Sequence, residues 1–271
     1  MLKAVAFDMD DTLLSINLSA FIAVFACDEA RLLADIARKN PVSTLASYLG
    51  ALRDMNANAR DAADARTNQA FFEDEVERRL GIPLADPVIA DVFEYYERDV
   101  LPTRNDALIA ARPRRGAQRA VEMLLDRGLR IALLTNPSFS RACIECRMGW
   151  GDMLDMPFEL VTCMENSTRC KPSARYYLES LAALGLEPDE VLMVGNDPKR
   201  DFPAPNCGIQ TAYVGLGSPS RAIWHGSMEE LAVNFPEVEE LFYARQEQSF
   251  DELARDVARV RNPLGEPAAL R

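Results

Sequence analysis

The sequence predicts an α/β fold, a Rossmann-like parallel sheet in three α/β/α layers that is interrupted by an inserted all-helical cap domain. Three observations support this fold class. An apolar strand pattern at the N-terminus ends abruptly in carboxylates, a helical periodicity then continues for roughly ninety residues, and strand patterns afterwards alternate with helices. The chain therefore leaves its sheet after one strand and returns to it later.

The first strand and the helical block define the domain boundaries that we predict. Residues 3 to 8 (KAVAFD) form an apolar run typical of a strand buried on both faces. From about residue 15 to 108 the pattern is helical, with stop signals such as Asn40-Pro41 and Gly81. We assign 1–14 and 109–230 to the core, 15–108 to the cap and 231–271 to a C-terminal helical extension.

The second half of the chain repeats strand and helix in turn. Strand patterns occur in LRIALLTN, FELVTCM, EVLMVGND and IQTAYVG, and helical patterns of 10 to 15 residues separate the first three. Such alternation predicts right-handed crossovers between parallel strands.

Composition and charge exclude several kinds of partner. The chain has 30 Lys and Arg against 42 Asp and Glu, a net charge of -12, which repels nucleic acid and anionic membranes. No apolar run approaches the ~20 residues that span a bilayer, and no signal-peptide pattern is present. Six dispersed cysteines suit free thiols in a reducing compartment, so we expect a cytoplasmic protein.

Polar side chains collect at the predicted strand ends, where open parallel sheets bind their ligands. Four carboxylates in one small site repel one another unless a cation is present, and oxygen ligands favour Mg²⁺. A lysine and a hydroxyl group beside such an ion are typical of a phosphate site. The residues are Asp8, Asp10, Thr135, Asn136, Lys171, Asn196, Asp197 and Asp201.

The motifs that carry these residues resemble a known family. FDMDDT, LLTN, KP before a helix and VGNDPKRD occur in the order found in the haloacid dehalogenase-like superfamily of aspartate-nucleophile hydrolases, which are mostly phosphatases. The similarity covers about residues 2 to 220. The helical insert lies where that superfamily places a mobile helical cap.

The resemblance implies a role for each residue. Asp8 would be the nucleophile that forms an aspartyl-phosphate, and Asp10 would act first as general acid and then as general base. Thr135, Asn136 and Lys171 would bind the phosphoryl group. The metal ligands would be Asp8, Asp10 through its backbone carbonyl, Asn196, Asp197 and Asp201.

One position departs from the family pattern. The common fourth motif has an aspartate directly after the glycine, where this chain has Asn196 followed by Asp197. Either Asn196 is the direct ligand with Asp197 behind it, or Asp197 is the ligand. Charge favours Asp197, and the sequence leaves both open.

The resulting hypothesis is a Mg²⁺-dependent phosphatase acting on a small phosphorylated metabolite. A phosphomutase of the same fold and a non-catalytic binding protein remain alternatives. A dehalogenase is disfavoured because a leaving halide needs no proton, and Asp10 is present.

Several other residues are interpreted as structural. Cys143 and Cys146 fit buried thiols better than a zinc site, and a single histidine, His225, excludes a histidine-dependent triad. Asp11 is expected to support either the turn or the outer shell of the metal site. The arginines at 112, 114 and 115 are interpreted as a solvated hinge.

Overall fold

The central sheet has five parallel strands in the order β4-β1-β5-β6-β7, which confirms the predicted α/β class. The computed structural model describes residues 1–203 and 207–261. Its strands are β1 (Ala4–Phe7), β2 (Leu14–Ser15), β3 (Arg112–Pro113), β4 (Arg130–Leu133), β5 (Val191–Gly195), β6 (Gln210–Val214) and β7 (Trp224–Gly226). Its helices are α1 (Leu18–Ala37), α2 (Pro41–Asn56), α3 (Asn68–Leu80), α4 (Pro87–Tyr95), α5 (Ala117–Asp126), α6 (Arg141–Trp150), α7 (Ala174–Leu184) and α8 (Met228–Arg261).

Alternate residues of the central strands enter two different hydrophobic cores, which produces the three layers. Val5 and Phe7 of β1 lie in one cluster with residues of α5, α6 and α8. Ala4 and Ala6 lie in a second cluster with Tyr176 and other residues of α7. Because side chains alternate across a strand, a continuous apolar run is needed to satisfy both faces.

Two strand predictions need correction. Residues 158 to 164 (FELVTCM) do not form a strand, and only a single bridge joins Val161 to Leu133 beside the edge strand β4. Conversely, β7 at the opposite edge was not predicted, because its three residues, WHG, are too few to show a period.

A short antiparallel pair joins the two ends of the helical insertion. Leu14 and Ser15 of β2 pair with Pro113 and Arg112 of β3, and all elements between them are helical. The insertion has its own hydrophobic cluster, which contains Leu33, Tyr48 and Met55 among others. One end of α1 instead packs into the main core through Phe21 and Phe25.

The predicted C-terminal boundary at residue 231 falls inside α8. This helix begins at Met228, and its buried residues Leu231, Phe235 and Phe242 pack in the main core. A non-helical backbone at Asn234, two residues before Pro236, kinks it. Residues 262–271 of the predicted extension lie outside the described residues.

A pair of buried glutamates lies between the insertion and the core. Glu29 of α1 accepts a hydrogen bond from the Tyr48 hydroxyl, and Glu97 accepts one of 2.6 Å from the Ser140 hydroxyl. Both carboxyls line a cavity of about 290 Å³. Burial raises the pKa of Glu29 well above its ordinary value and raises that of Glu97 from 4.5 to about 7.

This raised pKa predicts a pH-dependent stability. The folded chain keeps the Glu97 proton to higher pH than the unfolded chain, so the free energy of unfolding should fall between about pH 4.5 and 7. Glu97→Gln should remove part of that fall, on the order of 1 kcal/mol between pH 5 and 8. Urea unfolding of the wild type and of Glu97→Gln at pH 5 and pH 8 measures this change in the free energy of unfolding. Glu77→Gln, at an exposed position of α3, is the control, and an equal pH dependence in wild type and Glu97→Gln would contradict the prediction.

Candidate active site

The centre of the site is the buried ammonium group of Lys171, which bridges two carboxylates from different strand ends. Its Nζ lies 2.8 Å from Oδ1 of Asp8 and 2.7 Å from Oδ1 of Asp201, and its side chain is 1% exposed. Burial lowers the pKa of Lys171, but the two carboxylates outweigh it, so this pKa lies well above its ordinary value. Lys171 is therefore a fixed positive charge at the carboxyl end of the sheet.

Asp8 follows β1 directly and is held in place by the neighbouring strand. Its backbone N–H donates to the carbonyl of Val194 in β5, at 2.9 Å. Burial and the charge of Asp201 raise the pKa of Asp8 to about 7, although Lys171 opposes this shift. The net charge of these three side chains is negative, so an added cation would be attracted here.

Asp201 accepts hydrogen bonds from the backbone of the loop after β5, and its side chain packs directly against the backbone of Gly195. Its Oδ2 accepts the backbone N–H groups of Asn196 and Asp197, at 3.0 and 2.9 Å. A Cβ atom at Gly195 would lie 2.5 Å from the Cγ and Oδ2 atoms of Asp201. The glycine before Asn196 therefore allows the Asp201 carboxylate to lie against the backbone.

Asn196 and Asp197 have different surroundings. The Thr12 hydroxyl lies 3.1 Å from Oδ1 of Asn196 and 3.4 Å from Oδ2 of Asp8, which brings these two oxygens to one place. The side chain of Asp197 is 43% exposed, and its Oδ1 accepts the backbone N–H of Lys199. Asn196 thus faces Asp8, whereas Asp197 stabilises a turn.

Asp10 has a separate cationic partner. NH1 of Arg147, in α6, lies 3.0 and 2.8 Å from the two carboxylate oxygens of Asp10. Sequence reasoning missed Arg147. The available signal was its spacing of four from Cys143, which places an arginine on the apolar face of that helix.

The two residues predicted after β4 are held by different partners. Thr135 is buried, and its carbonyl accepts the hydroxyls of Thr162 and Tyr176. Asn136 accepts the backbone N–H of Lys171 at 3.0 Å through its side-chain oxygen. This bond joins the strand-end loop to the lysine.

The helical insertion also contacts these loops. The Nδ2 of Asn136 and the hydroxyl of Ser138 both donate to Oδ1 of Asn56, at 2.7 and 2.6 Å. Asn58 exchanges two hydrogen bonds with the backbone of Cys170, the residue before Lys171. Neither asparagine was predicted, because a single asparagine at or just after the end of a helix carries no signal of a contact so far along the chain.

The residues interpreted from the sequence as structural lie outside the group formed by Asp8, Asp10, Lys171 and Asp201. Asp11 has a φ of 57° and its carboxylate faces the backbone N–H of Ile16, which fits a turn. Cys143 and Cys146 are free thiols, and burial raises the pKa of both. His225 is exposed in β7, and Arg112 is exposed in β3.

A metal ion at this site would meet few carboxylate donors. Within residues 1–203 and 207–261, no three Asp, Glu, Cys or His side chains are grouped to hold one. Mg²⁺, however, is usually bound by only one or two carboxylates, with water and substrate oxygens completing the shell. Asp8 with the amide oxygen of Asn196 and the nearby negative charge fits that chemistry.

The fold and this constellation define a hydrolase of the haloacid dehalogenase-like family. Residues 2–207 match the family described as haloacid dehalogenase-like hydrolase, so the chain belongs to it. A curated relative, pyrophosphatase PpaX of Halalkalibacterium halodurans, is 22% identical over 162 residues, which are 55% of this chain and 72% of the relative. In the described part of the chain, no helix is both long and apolar enough for a membrane span.

Two solved structures share the fold. A HAD phosphatase from Thermococcus onnurineus has a TM-score of 0.52 at 20% identity, covering 85% of this chain and 96% of its own. An L-2-haloacid dehalogenase from Xanthobacter autotrophicus has a TM-score of 0.50 at 15% identity, covering 88% and 99%. At these identities the likeness is one of fold.

Gly195→Ala tests the packing beneath Asp201. The added methyl group must displace Asp201, so we expect a loss of about 1–3 kcal/mol in the free energy of unfolding. Gly149→Ala in α6 is the matched control, because nothing lies within 4 Å of its added Cβ. Chemical denaturation compares them, and an unchanged stability in Gly195→Ala would contradict the described packing.

Proposed function

We propose that this hydrolase is a Mg²⁺-dependent phosphatase that cleaves a small phosphate monoester through an aspartyl-phosphate on Asp8. The observation that carries the proposal is the ion-paired chain Asp8–Lys171–Asp201. A buried ammonium group beside a strand-end carboxylate can neutralise a phosphoryl group during its transfer to that carboxylate. Family membership supports hydrolysis.

Asp8 would attack the phosphorus atom with one carboxylate oxygen. The bond from phosphorus to the leaving oxygen then breaks, and Asp10 supplies the proton to that oxygen. Asp10 next takes a proton from water, and the oxygen of that water displaces Asp8 from phosphorus. Lys171 holds the phosphoryl oxygens, assisted by Thr135 and Asn136, and stays charged throughout.

Asp8 and Asn196 would hold Mg²⁺, with Asp201 contributing negative charge and the Asp10 carbonyl a further oxygen. When bound, this ion would neutralise the substrate phosphate and allow the anion to approach a carboxylate. The net charge of -12 makes such local positive charge necessary, because the surface as a whole repels anions.

The substrate is proposed to be small. The cavity between the insertion and the core has a volume of about 290 Å³. Asp8, Asp10 and Lys171 do not line this cavity, which comes nearest to them through Ser138, whose hydroxyl accepts from Asn136 at 2.6 Å. The hydrogen bonds that join the insertion to the strand-end loops leave room for a small molecule rather than a polymer beside Lys171.

The first test measures phosphate release from p-nitrophenyl phosphate with Mg²⁺ and with excess chelator. Asp8→Asn should reduce kcat on the order of 10³-fold or more, because the amide is a poor nucleophile. Asp126→Asn, at the exposed end of α5, should keep full activity. Equal turnover by wild type and Asp8→Asn would overturn the mechanism. Phosphate retained on an organic product would indicate a phosphomutase instead.

A second test separates the two candidate ligands after Gly195. Asn196→Ala should raise the Mg²⁺ concentration for half-maximal activity about tenfold or more, because it removes the oxygen beside Asp8. Asp197→Asn should change it less than about threefold. Mg²⁺ titration of both variants measures this, and the reverse order would favour Asp197 as the ligand.

A further inference from the structure

We propose that Arg147 is a positioning residue for Asp10, which fixes the carboxylate that transfers the leaving-group proton. The inference rests on the proposed phosphatase reaction. It assigns a role to a residue of α6 that no strand-end motif contains. Arg147 acts through Asp10 rather than on the substrate.

The contact between the two residues is direct and buried. NH1 of Arg147 reaches both oxygens of Asp10, and the arginine side chain is 0% exposed while that of Asp10 is 15% exposed. Asp10 is the only ion-pair partner of Arg147 within the described residues. The Asp10 carboxylate thus forms an ion pair with a fully buried arginine and keeps partial access to solvent.

Two neighbouring aromatic rings pack against the guanidinium of Arg147. The Arg147 Cζ lies 4.9 Å from the ring centre of Phe21 and 4.6 Å from that of Phe139. Such cation–π contacts are strongest when the cation is desolvated. Phe21 belongs to α1 of the insertion and Phe139 precedes α6, so the arginine is fixed from both parts of the fold.

The arginine has more hydrogen-bonding capacity than its surroundings use. Its Nε and NH2 are buried and have no hydrogen-bond partner. Leaving buried donors unsatisfied is costly, and a salt bridge of this kind is weak support for stability alone. A methionine of similar length would fill the space without that cost. The arrangement is therefore better explained by the orientation that it imposes on Asp10.

Orientation matters most when the leaving group needs a proton. In the first step the bond from phosphorus to the leaving oxygen breaks, and the Asp10 proton passes to that oxygen. A poor leaving group such as an alkoxide depends on this transfer, whereas p-nitrophenolate leaves without it. Arg147 gains and loses no proton in either step. The decrease in kcat/KM on loss of Arg147 should thus grow with the basicity of the leaving group.

The experiment measures kcat/KM at saturating Mg²⁺ for a series of aryl and alkyl phosphates. Arg147→Met should lose on the order of 10²-fold with alkyl phosphates and less than about threefold with p-nitrophenyl phosphate. Arg147→Lys should recover part of the loss. Arg119→Met, at an exposed position of α5, is the control for loss of an arginine and should lose little throughout.

A double-mutant cycle with Asp10→Asn identifies the partner. If Arg147 acts through Asp10, adding Arg147→Met to Asp10→Asn should cost less than about threefold further with alkyl phosphates. Thermal unfolding verifies that each variant is folded, and Arg147→Lys replaces Arg147→Met in the cycle if the latter does not fold.

The outcomes separate this inference from the proposed function. A loss of equal size for all leaving groups, or full additivity with Asp10→Asn, would overturn the positioning role while leaving the phosphatase intact. A wild type that releases no phosphate from any ester, with or without Mg²⁺, would overturn the proposed function and this role together.

Discussion

The buried ion pairs of Lys171 are the interaction on which the rest of the site depends. One ammonium group joins Asp8 after β1 to Asp201 after β5, and both carboxylates are buried. Removing the lysine would leave two buried carboxylates unpaired, which is far more costly than losing an exposed ion pair. The strand order, with β5 beside β1, is what makes this bridge possible. The glycine at 195 serves the same bridge, since it lets the Asp201 carboxylate lie against the backbone.

The loop that carries Lys171 is held mainly from the helical insertion. Asn58 bonds the backbone of Cys170, and Asn68 donates to the carbonyls of Pro137 and Arg169. Asn56 accepts hydrogen bonds from the side chains of Asn136 and Ser138. The residues around the end of α2 and the start of α3 thus stabilise two strand-end loops at once. Because these bonds cross from the insertion to the core, a displacement of the insertion would also displace the loop that carries Lys171.

Sequence reasoning found the sheet and the strand-end residues because both leave local signals. Apolar runs in the sequence mark β1 and β5, and carboxylates stand out directly after these runs because the rest of each run is uncharged. Arg147 and Asn56 leave no such signal, since their importance arises from contacts with residues 137 and 80 positions away. The strand expected at 158–164 is reduced to one bridge at Val161, although backbone hydrogen bonds at Glu159, Leu160 and Thr162 still join this segment to the edge strand β4. Charge alone favours Asp197 over Asn196 as a ligand, yet the Thr12 hydroxyl brings Asn196 rather than Asp197 beside Asp8.

The two neighbouring aspartates for which we propose different chemical roles have different surroundings in this fold. Asp8 and Asp10 are separated only by Met9, whose side chain is buried in the main core. Asp8 is paired with a lysine from the loop before α7, while Asp10 is paired with an arginine from α6. A lysine is a compact point charge, and Nζ of Lys171 contacts one oxygen of Asp8 and leaves the other available. By contrast, NH1 of Arg147 contacts both oxygens of Asp10 and so restricts the orientation of that carboxylate. A nucleophile benefits from the first arrangement, and a proton donor that must face one leaving oxygen benefits from the second. The division of roles that we propose for the two aspartates therefore follows from the cation that each one contacts.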